Sequence, residues 1–324
     1  MSTDPPTVPT SVGVLSRSFS RHPVLRAELL AAYPAAVFND SPHTLGGQAL
    51  ADFLVPHDAA IVALEQVDAT LLENLPRLRI ISKYGVGLDN IDLHAAARLG
   101  IRVGWEGGVN RRSVAELTIA FMIAGLRGVI VSHEEIRCGI WRQYRGRQLS
   151  GATVGLIGFG HVGRDVARLL RAFNSRVLAH DIRDITTPAT ELGVETVGLE
   201  ALLASADVVS LHVPLTRRTA GMLDASRLSA LKPGAVLVNT ARGGLVDEAA
   251  LRLALIEGRL AGACFDVFGT EPPDPAELFA TPGFIGTAHI GGSAEEAVLA
   301  MGRAAIAGLD RATDPLSFIP DWAA

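Results

Sequence analysis

The chain has 324 residues, 48% of them hydrophobic and 19% charged, which is enough apolar material for two domains with separate cores and too much for a disordered polypeptide. A formal net charge of -5, with no block of like charges, excludes the basic footprint of a nucleic-acid binder and gives no reason to expect a membrane-surface partner. The 9 histidines and 2 cysteines form no H-E-x-x-H motif or Cys/His cluster, so no metal site is expected.

Short β-rich runs at 12–15, 36–38, 60–64, 80–84 and 101–103 alternate with helical stretches. That alternation predicts a parallel sheet with helices on both faces, so the first 106 residues are read as one α/β domain. Residues 1–9, rich in Pro and Thr, lack the apolar core of a signal peptide; with Cys138 and Cys264 read as reduced thiols, this implies a cytoplasmic protein. Asn110 is a candidate cap for a long helix through Ala115, Glu116 and Phe121 toward the 130s. Its apolar stretch, 117–126, is too short to span a bilayer and reads as a core or dimer helix.

Next comes the strand 154–157, running into Gly158-Phe159-Gly160-His161-Val162-Gly163 and a helix whose apolar face is Val162, Val166, Leu169, Leu170 and Phe173. G-x-G-x-x-G between a strand and a helix is what a dinucleotide's pyrophosphate requires. Gly158 permits the tight turn, Gly160 lets the backbone approach the phosphates, and Gly163 lets the helix pack on the strand, with free N–H groups at a positive helix end. A second strand, 176–180, ends at Asp181, 18 residues past Gly163, where a carboxylate can hold the adenosine ribose hydroxyls. Asp181 would repel a 2'-phosphate and so favours NAD over NADP, although Arg183 could support that phosphate.

Strands at 207–213, 235–240, 262–267 and 284–288 extend the first two to a six-strand dinucleotide fold over 107–292. Ser293 with Glu296 makes a capping box for a helix ending near Gly308. If that helix leads back, 1–106 and 293–324 form one discontinuous domain, with a cleft between the halves and two hinge crossings. Three residues stand after apolar strands and are spaced 29 and 18 apart: Arg242, Glu271 and His289. In an open parallel sheet the carboxyl ends of the strands line the ligand crevice, so the three should converge near the cofactor. Their chemistry fits hydride transfer to a 2-oxo acid: Arg offers a planar fork for a carboxylate, His exchanges a proton near neutral pH, and Glu beside it favours the imidazolium.

These segments, with Ser82-Lys83-Tyr84-Gly85-Val86-Gly87-Leu88-Asp89-Asn90-Ile91-Asp92, Val114-Ala115-Glu116 and His212-Val213-Pro214-Leu215, resemble the D-isomer-specific 2-hydroxyacid dehydrogenases, most of all their phosphoglycerate dehydrogenase branch. The resemblance implies two doubly wound α/β domains, a Rossmann NAD-binding domain inserted in a flavodoxin-like substrate domain, and an NAD-dependent oxidoreductase acting on CH–OH donors. It also implies a homodimer formed through the dinucleotide domain. Carried over, Arg242 binds the substrate carboxylate, His289 is the acid/base, Glu271 orients and charges it, and the backbone of Val86 and Gly87 helps hold the carboxylate. Cofactor contacts are implied at Gly158, Gly160, His161, Val162, Gly163, Asp181, His212, Pro214, Thr219, Thr240, Ala241, Arg242, His289, Gly291 and Asp266, whose carboxylate is expected at the nicotinamide amide.

Two positions depart from the family pattern: Trp105-Glu106-Gly107 replaces Asn-x-Pro, and Ala288 replaces the proline before the catalytic histidine. The chain ends at Ala324, so the amino-acid-sensing domain of many phosphoglycerate dehydrogenases, and serine feedback through it, is not expected. Lys83, Arg111, Arg112 and Arg142 are candidate contacts for a substrate phosphate or phosphonate, against the reading of each as solvated charge. Rival functions are an NAD-sensing corepressor-like interaction protein, a reductase of a phosphonate or glyoxylate/hydroxypyruvate-type oxo acid, and a formate-type dehydrogenase. The last is disfavoured because that branch carries glutamine at the Glu271 position.

Overall fold

The apolar runs form two separate parallel sheets in a computed structural model that describes residues 9–274 and 278–319. Most of the Pro- and Thr-rich start, and the end at Ala324, lie outside those residues. The chain divides into two compact units, Met1–Asn110 with Glu295–Ala324, and Arg111–Ala294. The crossings fall at 110/111 and 294/295, where the sequence suggests 106/107 and 292/293.

The smaller unit holds β1 (Val12–Val14), β2 (Val37–Phe38), β3 (Ala59–Val62), β4 (Ile80–Lys83) and β5 (Arg102–Gly104) in the order β2-β1-β3-β4-β5, the flavodoxin-like winding. Helices α1 (Arg17–Arg21), α2 (Pro23–Ala32), α3 (Gly47–Leu54), α4 (Ala69–Glu73) and α5 (Leu93–Arg98) connect them. β3 and β4 are buried along their whole length because both faces are covered, one by a core around Phe19, Leu25 and Leu29, the other by a core around Leu54, Leu72 and Ile81.

The larger unit opens with α6 (Arg111–Arg127) and α7 (Val129–Arg137). The single helix expected toward the 130s is bent by 63° at Gly128, whose φ of +59 is outside the helical region. Its sheet contains β6 (Thr153–Ile157), β7 (Arg176–His180), β8 (Glu195–Thr196), β9 (Val208–Leu211), β10 (Ala235–Asn239), β11 (Leu260–Phe265) and β12 (Phe284–Gly286). The order β12-β11-β10-β9-β6-β7-β8 is a Rossmann winding with seven strands where the sequence pattern predicts six. The additional strand, β8, is two exposed residues, too short for an apolar pattern.

Between these strands run α8 (His161–Leu170), α9 (Thr186–Leu192), α10 (Leu199–Ser205), α11 (Ala225–Ala230) and α12 (Glu248–Ile256). α6 buries Ile119, Phe121, Met122 and Leu126 in one core of this unit, so its apolar stretch is a core helix. No single helix among the described residues is long and apolar enough to cross a membrane.

The last helix, α13 (Glu295–Arg311), belongs to the smaller unit and makes it discontinuous. Leu25 of α2 fills the space left by the missing side chain of Gly302, Tyr33 Oη donates to Asp310 at 2.7 Å, and Ser82 Oγ of β4 donates to the Ala305 carbonyl at 2.5 Å. Burial of one leucine such as Leu25 contributes about 2 kcal/mol, one part of what holds the returning helix. α13 ends at Arg311, nearly a turn beyond the expected stop at Gly308.

Candidate active site

The glycine loop of the larger unit is shaped by backbone contact. Gly158 has φ +97, and a Cβ there would lie 2.5 Å from the His212 carbonyl oxygen; one on Gly163 would lie 2.3 Å from the Gly158 carbonyl oxygen. Neither position admits a side chain, which is how the loop, the start of α8 and the end of β9 come together. Above Gly160 the space is open: a Cβ there would meet only Arg183 Nη2, at 3.8 Å. His161 and Val162 begin α8, whose N-terminus carries free N–H groups and the positive end of the helix dipole, suited to an anion. Burial lowers the His161 imidazole below its ordinary pKa, and the positive charges of Arg111, Arg164 and Arg183 lower it further. The positive charges near His161 fit a pyrophosphate.

Asp181 lies just past β7, and its carboxylate accepts from Phe159 N at 2.8 Å and Arg183 N at 3.0 Å. The Arg183 guanidinium forks onto it, Nε to Oδ1 at 3.0 Å and Nη2 to Oδ2 at 2.8 Å. Burial alone would raise this carboxyl; the bonds from Arg183 and the Phe159 amide outweigh burial and hold it at about 2. Arg183 thus pairs with the carboxylate that the sequence reading sets against a 2'-phosphate.

His212 contributes its backbone to the loop. Its Nε2 meets Ser210 Oγ at 3.0 Å, while Nδ1 is buried with no hydrogen-bond partner, and burial pushes the imidazole down to about 3, so it is neutral at physiological pH. Pro214 and Thr219 close a small loop, Thr219 Oγ1 donating to the Pro214 carbonyl at 2.7 Å.

After β10, Thr240 pairs with Thr118 of α6, Oγ1 to Oγ1 at 2.8 Å. The turn that follows is folded by Asn239, a residue sequence reasoning missed. Its side chain accepts from Ala241 N at 3.1 Å and donates to the Arg242 carbonyl at 2.8 Å. An asparagine at the end of an apolar strand is the signal that could have found it. Arg242 Nη1 donates to the Ala241 carbonyl at 2.7 Å.

The neighbouring strands β11 and β12 supply the titratable pair. His289 Nδ1 and Glu271 Oε2 are 2.8 Å apart, and the other oxygen of Glu271 accepts from Phe268 N at 3.1 Å. His289 is at φ +53, unusual for a residue with a side chain, and is held there by Asp266. The Asp266 carbonyl accepts from His289 N at 3.0 Å. Its carboxylate, in a residue 1% exposed, accepts from Thr287 Oγ1 at 2.5 Å and from the backbone amides of Ile290 and Gly291, both at 2.7 Å. Gly291 is thus part of the turn that carries the histidine, and the Asp266 carboxylate expected at the nicotinamide amide is bonded to that turn.

Glu271 and His289 are therefore in contact, and Arg242 follows β10, the strand next to β11. In the smaller unit, Val86 and Gly87 follow β4. The Val86 carbonyl accepts from the Trp105 indole Nε1 at 3.1 Å, and Trp105 meets Phe318 edge to face at 5.3 Å. The departure from Asn-x-Pro at residue 105 thus pins the Val86 turn. Among the four candidate phosphate cations, Lys83 is buried and donates to the Ala63 carbonyl and to Asn90 Oδ1; Arg112 pairs with buried Asp165 at 3.0 Å, and Arg142 with Glu135 at 3.3 Å. Those three are engaged within the protein, and Arg111 acts on the glycine loop through its effect on His161.

Similarity to known proteins is specific. Residues 119–291, more than half of the chain, match the model for "D-isomer specific 2-hydroxyacid dehydrogenase, NAD binding domain". The chain is 40% identical over 243 residues to a D-3-phosphoglycerate dehydrogenase of Mycobacterium leprae, covering 74% of this chain and 46% of that protein. It is also 40% identical over 254 residues to a glyoxylate reductase of Pyrococcus furiosus, covering 75% of this chain and 76% of that one. The crystal structure of D-lactate dehydrogenase from Aquifex aeolicus complexed with NAD and lactic acid superimposes with a TM-score of 0.79 at 26% identity, over 92% of this chain and 93% of that one. The alignment spans just under half the length of the first of these relatives. The chain belongs to the D-isomer specific 2-hydroxyacid dehydrogenase family, and its larger unit is that family's NAD-binding domain.

Proposed function

We propose that the protein interconverts a 2-oxo acid and its D-2-hydroxy acid with NAD(H), in the manner of phosphoglycerate dehydrogenases or of glyoxylate and hydroxypyruvate reductases. The observation that carries this reading is the 2.8 Å contact between His289 Nδ1 and Glu271, at the strand ends of the sheet that holds the glycine loop. NADH, when bound, supplies the hydride, and NAD accepts it in the reverse direction. Asp181, Gly160, His161 and Val162 would hold the cofactor.

Glu271 occupies Nδ1 and leaves His289 Nε2 to face the reacting oxygen, so the imidazolium gives its proton to the oxo acid on reduction and the imidazole takes one from the hydroxyl on oxidation. Arg242 binds the substrate carboxylate through its planar fork and polarises the adjacent carbonyl. Val86 and Gly87 enter the proposal through the family resemblance, as backbone donors to the carboxylate. A cytoplasmic location and a homodimer belong to the same reading. The dimer is supported by α7, which buries none of its residues and, with Ile140 and Trp141, leaves apolar side chains in water. A panel of 2-oxo acids assayed by NADH absorbance tests the activity: turnover of at least one is expected, and inertness toward glyoxylate, hydroxypyruvate, pyruvate and 3-phosphohydroxypyruvate alike would remove it.

A further inference from the structure

The carboxylate of Asp181 has about four lone-pair sites, and all of them are taken inside the protein. Oδ1 receives Arg183 N and Nε, and Oδ2 receives Phe159 N and Arg183 Nη2. A ribose diol has no acceptor left on this carboxylate unless a donor withdraws. The two backbone amides are fixed by the loop and strand that carry them. The guanidinium is on a flexible side chain, 48% exposed where the Asp181 side chain is 6% exposed, and only its two bonds can be given up without unfolding the loop. Arg183 also lies over Gly160, on the open side of the phosphate loop.

We propose that Arg183 stands in on Asp181 for the adenosine ribose hydroxyls, so that nucleotide binding exchanges one for the other, and that the displaced guanidinium serves as a receptor for a 2'-phosphate. This rests on the reading of Asp181 as the ribose carboxylate and deepens it, because the pocket then accepts NADPH as well as NADH. A carboxylate alone repels a 2'-phosphate. Here the same residue that pairs with Asp181 carries a planar fork of donors suited to phosphate once displaced. For NADH the exchange works against affinity, since the ion pair must open before the hydroxyls bind.

The test is the pair of variants Arg183→Ala and Arg183→Lys, with dissociation constants for NADH and NADPH read from nucleotide fluorescence and those for 5'-AMP and adenosine 2',5'-bisphosphate from calorimetry, none of which requires turnover. Arg183→Ala should bind NADH as well as the wild type or a few-fold tighter, and NADPH at least about tenfold more weakly, about 1.4 kcal/mol. The bisphosphate should follow NADPH and 5'-AMP should follow NADH. Arg183→Lys, which keeps the charge and lacks the fork, should fall between, and it serves alone if the alanine variant loses its thermal transition. Equal weakening of both nucleotides, or unchanged NADPH affinity, overturns the exchange. Failure of the wild type to bind either nucleotide would instead overturn the cofactor site itself, so the two failures are distinguishable.

Discussion

At the scale of single residues, the contact between Glu271 and His289 follows from a pattern the sequence displays, since each is a chemically active residue placed after an apolar strand and parallel strands deliver such residues to one edge. What the sequence does not display is the support beneath them. Asp266 binds the His289 turn through four hydrogen bonds, counting its carbonyl, and this follows from a local backbone path that no spacing rule encodes. Replacing Asp266 by Asn leaves one acceptor oxygen and sets an NH2 group against the amide of Ile290 or Gly291, a mismatch of about 1–3 kcal/mol. The expected result is a kcat roughly ten- to a hundredfold lower with the Kd for NADH nearly unchanged. A variant that keeps its kcat and loses NADH affinity would show that Asp266 serves the nicotinamide amide instead of the histidine.

At the scale of elements, nearly every strand is visible as a run of β-branched and apolar residues, since strands buried on both faces carry that pattern without interruption. Besides β8, the break at Gly128 is hidden from sequence. A glycine inside an apolar helical run is tolerated often enough that only its φ of +59 identifies a corner. The corner matters because it turns α7 away from the core, leaving Val129, Ile130 and Ile136 exposed together with Ile140 and Trp141, the last at 82%. If that surface is the dimer interface, the double variant Ile136→Asp and Trp141→Asp should halve the mass measured by light scattering while keeping the wild-type circular dichroism. An unchanged dimer mass would assign α7 no part in assembly.

At the scale of the whole molecule, the strand and helix alternation stops and restarts around α6, and α13 falls in the smaller unit, which the sequence offers only on condition that the last helix leads back. The crossing points lie a few residues from the expected ones, at 110/111 and 294/295, where α6 and α13 begin; neither expected side-chain cap sets them, since Asn110 Oδ1 is buried without a hydrogen-bond partner and α13 starts two residues past Ser293. The Arg183 fork onto Asp181 is the least legible feature: the sequence places the two charges two residues apart, and their pairing depends on a side-chain conformation.

Proton transfer through His289 beside a bound nicotinamide nucleotide is tested most directly by His289→Gln, with kcat for the best 2-oxo acid and the Kd for NADH measured on the same preparation. The expected outcome is a kcat lower by about two to four orders of magnitude at a Kd within about twofold of the wild type. A variant that retains most of its kcat would contradict the proton-transfer role.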